Sequence, residues 1–562
     1  MKPVLQIENL NIGFLQNGLI QNVVENISFT LNRGETTALV GESGSGKSVT
    51  ALSILQLLPK ESIITGRITY IPDRGDRIEL LKQSANKITA FRGNRIAMIF
   101  QEPMTSLNPL YTCGDQVMES LQLHRSLQKK EAREQTRELF KLVELPDPAS
   151  MLNRYPHEIS GGQKQRVMIA MAMSCQPDIL IADEPTTALD VRVQANILTL
   201  LSNLQKKTGM AILFITHDLG IVADFADNVA VMNKGKIVEQ GETAAILQMP
   251  QHPYTKALLA CRPTAGAKGK RLALVSDFLT DTPPQQRRKS TSVMPASDHV
   301  LLSVRSLVVE FPIKTNFFGT PTSFFKAVDD VSFHINQNEI VGLVGESGSG
   351  KTTLGRTILQ LIKPTSGEIL LNGKNITDLS PTQLREERKN IQIIFQDPYG
   401  SLNPRISIGS AISEALSVHK LARSKNEQQE MVVSLLEQVN LQADHFNRYP
   451  HQFSGGQRQR ICIARALALN PSFLVFDESV SALDVSVQAQ VLNLINELRQ
   501  SLHFTAIFIS HDLSVVHYLS DRIMVMKSGQ IVENGSADQV YHHPENEYTR
   551  KLIGAIPGKR LA

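Results

Sequence analysis

The stretch GESGSGKS at residues 41–48 returns as GESGSGKT at residues 345–352. Each copy follows an apolar run with strand character and precedes a helical pattern. The glycines let successive backbone N–H groups turn toward phosphate oxygens, the lysine reaches the terminal phosphates, and the final hydroxyl is placed to ligate magnesium. The two copies therefore predict two phosphate-binding loops.

A long internal repeat surrounds these loops. SGGQKQR at residues 160–166 pairs with SGGQRQR at 454–460, and NRYPH at 153–157 pairs with NRYPH at 447–451, both at an offset of 294 residues. The first half carries nine extra residues between its glycine loop and Gln101, which we expect to form a longer loop or hairpin. A repeat of this length indicates domain duplication. The predicted bounds are 1–261 and 300–562 for the domains and 262–299 for a linker, which contains the basic cluster Arg287, Arg288 and Lys289.

The periodicity within each half predicts an α/β architecture. Short β-rich runs such as TTALVGES, DILIADE and MAILFIT alternate with helical patterns, which is typical of a parallel sheet flanked by helices. Before each SGGQ, the segments KKEAREQTRELFKLVEL and EQQEMVVSLLEQVNL place apolar residues at helical spacing. They predict an inserted helical region with these apolar positions: Ala132, Leu139, Phe140 and Val143 in the first half, and Val432, Leu435, Leu436 and Val439 in the second.

Composition limits the class of protein. The 58 basic and 54 acidic residues nearly balance, so the net charge does not indicate a nucleic-acid partner. The cysteines lack any CxxC spacing, so we expect neither a disulfide framework nor a metal site, and a reducing cytoplasm fits best. No apolar run reaches the roughly 18 residues of a membrane span, so any membrane role would use partner subunits.

Paired carboxylates end one apolar strand in each half. Asp183 and Glu184 close DILIADE, and Asp477 and Glu478 close SFLVFDE. The first acid of each pair suits magnesium, and the second can orient and polarise the water that attacks a phosphoryl group. His217 and His511 end another strand, where an imidazole can contact the terminal phosphate; elsewhere a lone histidine after a strand is usually structural.

The order of glycine loop, glutamine, SGGQ, paired acids and histidine resembles the ATP-binding cassette (ABC) ATPases over nearly all of both halves. The resemblance implies two tandem P-loop ATPase domains, with ATP and Mg²⁺ as ligands. It assigns Gln101 and Gln396 to sensing magnesium and water. It also implies that each SGGQ signature loop closes over ATP held by the opposite half, with Asp190 and Asp484 in loops that cross this interface. Phe14 and Phe311 are either adenine-stacking residues or core strand residues.

The predicted site residues fall into three groups. The expected catalytic residues are Glu184, Glu478, His217, His511, Gln101 and Gln396. The expected nucleotide-binding residues are Gly41, Glu42, Ser43, Gly44, Ser45, Gly46, Lys47, Ser48, Gly345, Glu346, Ser347, Gly348, Ser349, Gly350, Lys351, Thr352, Ser160, Gly161, Gly162, Gln163, Ser454, Gly455, Gly456 and Gln457. The expected magnesium ligands are Ser48, Gln101, Asp183, Thr352, Gln396 and Asp477. Because the second half departs mainly where Pro185 becomes Ser479, and proline carries neither proton nor charge for catalysis, we predict two hydrolytic sites.

The two halves end in similar C-terminal segments: QMPQHPYTKALLACRP at residues 248–263 and YHHPENEYTRKLIGAIP at 541–557. These tails resemble the C-terminal extension of importer ATPases that serve oligopeptides, dipeptides and nickel. The fused arrangement is similar to the Yej-type peptide importer ATPase and, more distantly, to the glutathione importer ATPase. The second copy departs from HPYT as NEYT. For both tails, a surface helix without a substrate role is the plain alternative.

The resemblance implies the ATP-hydrolysing motor of a bacterial importer, with oligopeptides or peptide-like compounds as cargo. Its expected partners are two transmembrane permease subunits and an extracytoplasmic solute-binding protein, at the cytoplasmic face of the inner membrane. Glutathione, nickel or another small solute is the alternative cargo. A soluble tandem ATPase acting on ribosomes or nucleic acid is the alternative of another class; its members resemble one another in a longer charged linker, which this chain lacks.

Overall fold

The computed structural model describes residues 2–16, 18–101, 106–187, 189–279, 297–315 and 321–558. Most of residues 2–260 form one compact unit and most of residues 261–556 form a second. The domain bounds drawn from the sequence stay predictions, and the basic cluster of the expected linker lies outside the described residues.

Each half contains an antiparallel sheet and a mainly parallel sheet. In the first half the antiparallel order is Leu19–Asn32, Pro3–Gln16, Ser62–Tyr70, Ile78–Glu79, and the mainly parallel order is Lys236–Glu242, Asn228–Asn233, Thr36–Val40, Ala211–Thr216, Ile179–Asp183, Ile96–Ile99. In the second half the orders are Pro321–Asn336, Val300–Thr315, Ser366–Leu371, Lys374–Asn375, and Ile391–Ile394, Phe473–Asp477, Thr505–Ile509, Ile340–Val344, Arg522–Lys527, Gln530–Ser536.

Helices cover these sheets. Those of the first half are Lys47–Ile54, Ala85–Thr89, Cys113–Arg125, Lys129–Leu142, Pro148–Met151, Gly161–Met173, Val191–Thr208, Leu219–Phe225, Thr243–Gln248 and Pro253–Ala260, with 3₁₀ turns at Leu80–Lys82 and Pro156–Glu158. Those that follow are Ser276–Leu279, Lys351–Ile358, Pro381–Glu387, Pro398–Ser401, Ile408–Val418, Lys425–Gln438, Gly455–Leu467, Val485–Leu502, Leu513–Leu519, Ala537–His542 and Glu547–Gly554, with 3₁₀ turns at Ala265–Ala267, Ala443–Asn447 and Pro450–Gln452.

The central parallel strands are buried on both faces, as expected for a sheet enclosed by helices. Every residue of Thr36–Val40, Ile179–Asp183 and Ala211–Thr216 is buried. The register aligns Val40 with Thr216 and Asp183 with Ile215, so the carboxyl ends of these strands meet at one edge. The α/β prediction is confirmed, and this edge is where the predicted site residues begin.

The inserted helical region is present in both halves. Lys129–Leu142 buries Ala132 and Phe140, and Lys425–Gln438 buries Val432 and Leu436, all at positions expected from the periodicity. Val143 and Val439, just after these helices, are buried as well, and Leu139 and Leu435 are partly buried against the core.

Part of the nine-residue insertion lies in a hairpin. The strands Ser62–Tyr70 and Ile78–Glu79 pair antiparallel across residues 71–77, whereas Ser366–Leu371 and Lys374–Asn375 are joined by only residues 372–373. The longer connection accounts for most of the insertion.

The beginning of the expected linker packs on the second unit. The Leu272 N–H donates to Asn493 Oδ1 and the Asn493 amide donates to the Leu272 carbonyl, both at 2.9 Å. Tyr518 donates to the Lys270 carbonyl at 2.9 Å, and Asp538 contacts both Lys268 and His517. Since Leu272 is 2% exposed, residues 268–272 belong to the packed surface of this unit.

Two further expectations concern cysteines and membrane spans. Cys113, Cys175, Cys261 and Cys462 are all buried, and no disulfide joins them within the described ranges. Among the described residues, no helix has the length and apolar character needed to cross a membrane.

Candidate active sites

Both glycine loops have backbone conformations that require glycine. Gly46 and Gly350 have φ of 101° and 106° at the residue before the helices Lys47–Ile54 and Lys351–Ile358. A Cβ on Gly41 would lie 2.1 Å from the Met232 carbonyl oxygen. Only a residue without a side chain allows this approach, so the loop is fixed against the neighbouring strand.

The loop lysines point back into their own loops. Lys47 Nζ donates to the Gly41 carbonyl at 2.7 Å and to the Glu42 carbonyl at 2.8 Å. Lys351 makes the equivalent bonds to Gly345 and Glu346 at the same distances. Burial lowers the pKa of Lys351, although nearby carboxylates oppose the shift. Each ammonium group is thereby held where the loop amides would receive a phosphate.

A hydroxyl and a buried carboxylate meet beside each lysine. Ser48 donates to Asp183 Oδ1 at 3.1 Å, and Thr352 donates to Asp477 Oδ1 at 2.9 Å. Burial raises the pKa of Asp183 to about 6, and burial also raises the pKa of Asp477. Nearby cations do not offset the burial of these carboxylates. A carboxylate oxygen beside a hydroxyl oxygen is a pair of ligands that fits a hard cation such as Mg²⁺.

The glutamates that follow these aspartates sit in a strained backbone conformation. Glu184 and Glu478 have φ of 45° and 48°, in the left-handed region that non-glycine residues seldom occupy. Their N–H groups donate to the carbonyls of Ile215 and Ile509 at 3.0 Å, on the adjacent strands. The strained turn directs each glutamate away from the strand at the edge where the glycine loop begins, and such strain concentrates at functional sites.

Three side chains hold the carboxylate of Glu184. Gln101 Nε2 and Thr187 Oγ1 donate to Oε2 at 3.2 and 2.9 Å, and His217 Nδ1 lies 3.3 Å from Oε1. Burial alone would raise the pKa of Glu184, but the hydrogen bonds from His217 and Thr187 and the nearby charges outweigh it and lower the pKa to about 2. The structure therefore joins the predicted glutamine, glutamate and histidine around an ionised carboxylate.

The second unit repeats this arrangement with one difference. Gln396 donates to Glu478 Oε2 at 3.0 Å, and His511 Nδ1 is 3.6 Å from the same oxygen. Contacts with His511 outweigh burial and lower the pKa of Glu478. Ser481, which corresponds to Thr187, donates to the Glu478 backbone carbonyl at 2.8 Å instead of to the carboxylate. The two carboxylates thus differ in their donors.

The signature loops begin helices. Ser160 and Ser454 cap Gly161–Met173 and Gly455–Leu467, with each serine hydroxyl accepting from the N–H of Gln163 or Gln457. Each glutamine returns its side-chain oxygen to the serine N–H at 3.0 Å. These contacts of Ser160, Gln163, Ser454 and Gln457 are capping bonds within their own helices. The contact of the signature loops with ATP stays a prediction.

The structure also adds residues that the sequence analysis did not assign. Thr187 is one of them; it lies three residues after Glu184, and the internal repeat pairs it with Ser481. Tyr254 and Tyr548 are the others: their hydroxyls accept from the N–H groups of Glu42 and Glu346 at 3.1 Å. The repeated motifs HPYT and NEYT could have pointed to these tyrosines, but a helix at the surface is an equally simple interpretation of the two segments.

The two aromatic candidates for adenine stacking lie on strands of the antiparallel sheets, and their stacking stays a prediction. Phe14 lies in strand Pro3–Gln16 and is half-buried against the core, and Phe311 is 40% exposed on strand Val300–Thr315.

Comparisons with known proteins identify the family of this chain. The family described as ABC transporter matches residues 24–187 and 328–481, and the family described as oligopeptide/dipeptide transporter, C-terminal region, matches residues 238–282. The chain is 49% identical to glutathione import ATP-binding proteins of Shigella boydii and Escherichia coli K12, over 99% of this chain and 89% of theirs. A dimeric ATP-binding cassette solved with ADP and Pi is 27% identical over 42% of this chain and 99% of its own, with a TM-score of 0.38.

The chain belongs to the ATP-binding proteins of ABC transporters, in the oligopeptide/dipeptide transporter group. The predictions of tandem P-loop ATPase domains and of ATPase activity coupled to transport are confirmed at this level.

Proposed function

We propose that both halves hydrolyse ATP and that this hydrolysis drives import of a peptide-like solute. One observation carries the first part: each unit brings a loop lysine, a hydroxyl–aspartate pair and a glutamine–glutamate–histidine group to the same sheet edge. Since Ser479 in place of Pro185 changes none of these side chains, the second half has the parts it needs for hydrolysis.

The chemistry follows from the positions of the side chains. Glu184 and Glu478 are ionised and would accept a proton from the attacking water, a contribution of typically 100-fold or more. Gln101 and Gln396 hold the carboxylates in place, and His217 and His511 orient them from the next strand. These contacts fix the orientation of each base.

Magnesium would be held by residues that fit it. Ser48 and Asp183, and Thr352 and Asp477, would ligate the ion, with Gln101 and Gln396 beside them. When bound, Mg²⁺ supplies positive charge to the phosphate oxygens of ATP. The lysine of each loop adds a second cation on the other side of the phosphates.

The family match supports a peptide-like cargo. The C-terminal region typical of oligopeptide and dipeptide transporters is present, and the relatives are named for import of glutathione, a short peptide. We therefore assign the chain to short peptides of the glutathione type. Nickel receives no comparable support from these relatives, and the name of none of them refers to ribosomes or nucleic acid.

The remaining assignments concern the assembly. The chain would work with two transmembrane permease subunits and an extracytoplasmic solute-binding protein, at the cytoplasmic face of a bacterial inner membrane. Closure of each signature loop over ATP bound by the opposite half is part of the same proposal. The family resemblance supports both assignments.

Uptake of labelled solutes by cells tests the cargo. The chromosomal copy would carry Glu184→Gln together with Glu478→Gln, in a strain without other importers for the same solutes. We expect loss of glutathione and tripeptide uptake with unchanged nickel uptake. Normal glutathione and peptide uptake in this strain would contradict the assignment, and loss of nickel uptake alone would transfer it to the metal.

A further inference from the structure

Each C-terminal extension reaches the glycine loop of its own unit through one tyrosine. Tyr254 lies in the helix Pro253–Ala260 and Tyr548 in the helix Glu547–Gly554. Their side chains are only 1% and 5% exposed, and each hydroxyl oxygen accepts the N–H of the second loop residue, Glu42 or Glu346, at 3.1 Å. The same contact occurs independently in both halves.

The second loop residue is held from both sides. In the first unit the N–H of Glu42 donates to Tyr254 and its carbonyl accepts from Lys47 at 2.8 Å. In the second unit Glu346 is held in the same way by Tyr548 and Lys351. One peptide segment therefore connects the tyrosine hydroxyl with the ammonium group that would meet the phosphates of ATP.

Matching contacts fix the position of each tyrosine. Glu239 accepts the N–H groups of Gln251 and His252 at 2.7 and 3.2 Å, and His252 Nδ1 accepts the N–H of Tyr254 at 3.1 Å. These bonds fasten the extension to the strand Lys236–Glu242 and set the start of the helix that carries the tyrosine.

The second half makes the same arrangement with a different side chain. Glu533 accepts the N–H groups of Glu545 and Asn546 at 2.8 and 3.3 Å, and Asn546 Oδ1 accepts the N–H of Tyr548 at 2.8 Å. Asn546 thus replaces His252 as the acceptor, so the sequence differs between HPYT and NEYT while the hydrogen bond to the tyrosine N–H is kept. What the two tails share is a placed tyrosine.

We propose that Tyr254 and Tyr548 are positioning residues of the nucleotide sites, through which a docked C-terminal extension sets the glycine loop for ATP. The inference rests on the proposed role of these loops in binding ATP. Loss of the hydroxyl would remove the acceptor of this partly buried N–H and loosen the residue whose carbonyl holds the lysine, so ATP binding should weaken by about tenfold.

Tyrosine-to-phenylalanine variants of the full chain test the proposal, because phenylalanine keeps the buried ring. We expect Tyr254→Phe and Tyr548→Phe each to raise the KM for ATP by about tenfold, with kcat within twofold of wild type. Hydrogen exchange of loop peptides should become faster at residues 41–46 in the first variant and at 345–350 in the second. The control is Tyr541→Phe, since Tyr541 stacks on His517 in the second extension.

A second pair of variants separates positioning from folding. His252→Asn copies the acceptor of the second half and should keep the wild-type KM, whereas His252→Ala should raise it. An unchanged KM in both tyrosine variants, or an equal rise in Tyr541→Phe, would overturn the proposal. Absence of ATP hydrolysis by the wild-type chain would instead refute the proposed function, so the two failures are distinguishable.

Discussion

Replacing each proposed catalytic glutamate by glutamine isolates the effect of its charge. In Glu184→Gln the new amide oxygen can occupy the place of Oε2 and accept from Gln101 and Thr187, while the amide NH₂ can donate to His217 Nδ1. The side chain keeps its shape and its contacts, so the fold should not change. Only the ability to accept a proton is lost.

The expected magnitude follows from that loss. General-base catalysis contributes about 100- to 10,000-fold, which corresponds to about 3–5 kcal/mol in activation free energy. Because each signature loop is proposed to close over the ATP of the opposite half, we expect the two sites to depend on each other, and Glu184→Gln and Glu478→Gln should each reduce turnover of the whole chain at least about 100-fold. ATP affinity should change little, since neither glutamate is assigned to binding.

Steady-state phosphate release by the purified full chain with Mg²⁺ and ATP measures this effect. Glu138→Gln is the matched control, because Glu138 is an exposed glutamate paired with Lys141 on the inserted helix. Near-full turnover in either active-site variant would refute the assignment of a base in that half. Retention of about half the turnover in each would show independent sites and refute the coupling.

Two further predictions concern the loop and the aspartate of the first unit. Gly41→Ala places a Cβ 2.1 Å from the Met232 carbonyl oxygen, and the resulting displacement of the loop by about 1 Å should reduce ATP turnover about 100-fold. Gly44→Ala is the control: its Cβ meets open space, so the substitution should cost only about 1–2 kcal/mol of left-handed backbone strain. Equal losses of turnover in a phosphate-release assay would contradict the steric argument. Asp183→Asn should raise the stability of the Mg²⁺-free chain at pH 7 by up to about 3 kcal/mol, because a carboxylate whose pKa is raised to about 6 stabilises the fold at low pH and loses that contribution as the pH rises from about 4 through 6. Thermal denaturation in EDTA at pH 4 and pH 7 checks this, and a variant that gains nothing at pH 7 would refute it.

The sequence was sufficient for the features that depend on residue type and spacing. The glycine loops, paired carboxylates and histidines all follow apolar strands whose parallel arrangement brings their ends together, so their proximity was predictable. The inserted helices were predictable because Ala132, Phe140, Val432 and their neighbours repeat at helical spacing.

Other features depend on contacts that spacing does not encode. Thr187 and Ser481 are similar residues at equivalent positions, yet one donates to a carboxylate and the other to a backbone carbonyl. The packing of Leu272 against Asn493 joins residues more than 200 positions apart, within a segment whose composition resembles a linker. Rotamers and long-range pairing decide such contacts, and neither leaves a periodic signal.

The role of the C-terminal extensions also depends on a long-range contact. The motif HPYT is evident in the sequence, but only the fold shows that its tyrosine contacts the glycine loop, which lies more than 200 residues earlier. The replacement of His252 by Asn546 weakened the sequence match while the hydrogen bond to the tyrosine N–H was kept. Chemical equivalence of two acceptors is a property of the structure.

Both halves are proposed to bind ATP through their own glycine loops, and the number of nucleotides bound per chain measures this. Equilibrium dialysis of Mg²⁺ and ATP against the full chain carrying Glu184→Gln and Glu478→Gln prevents hydrolysis during the measurement. We predict two ATP molecules per chain, and one when Lys47 or Lys351 is also replaced by alanine. A single ATP bound per chain, with both lysines unchanged, would show that one half does not bind ATP.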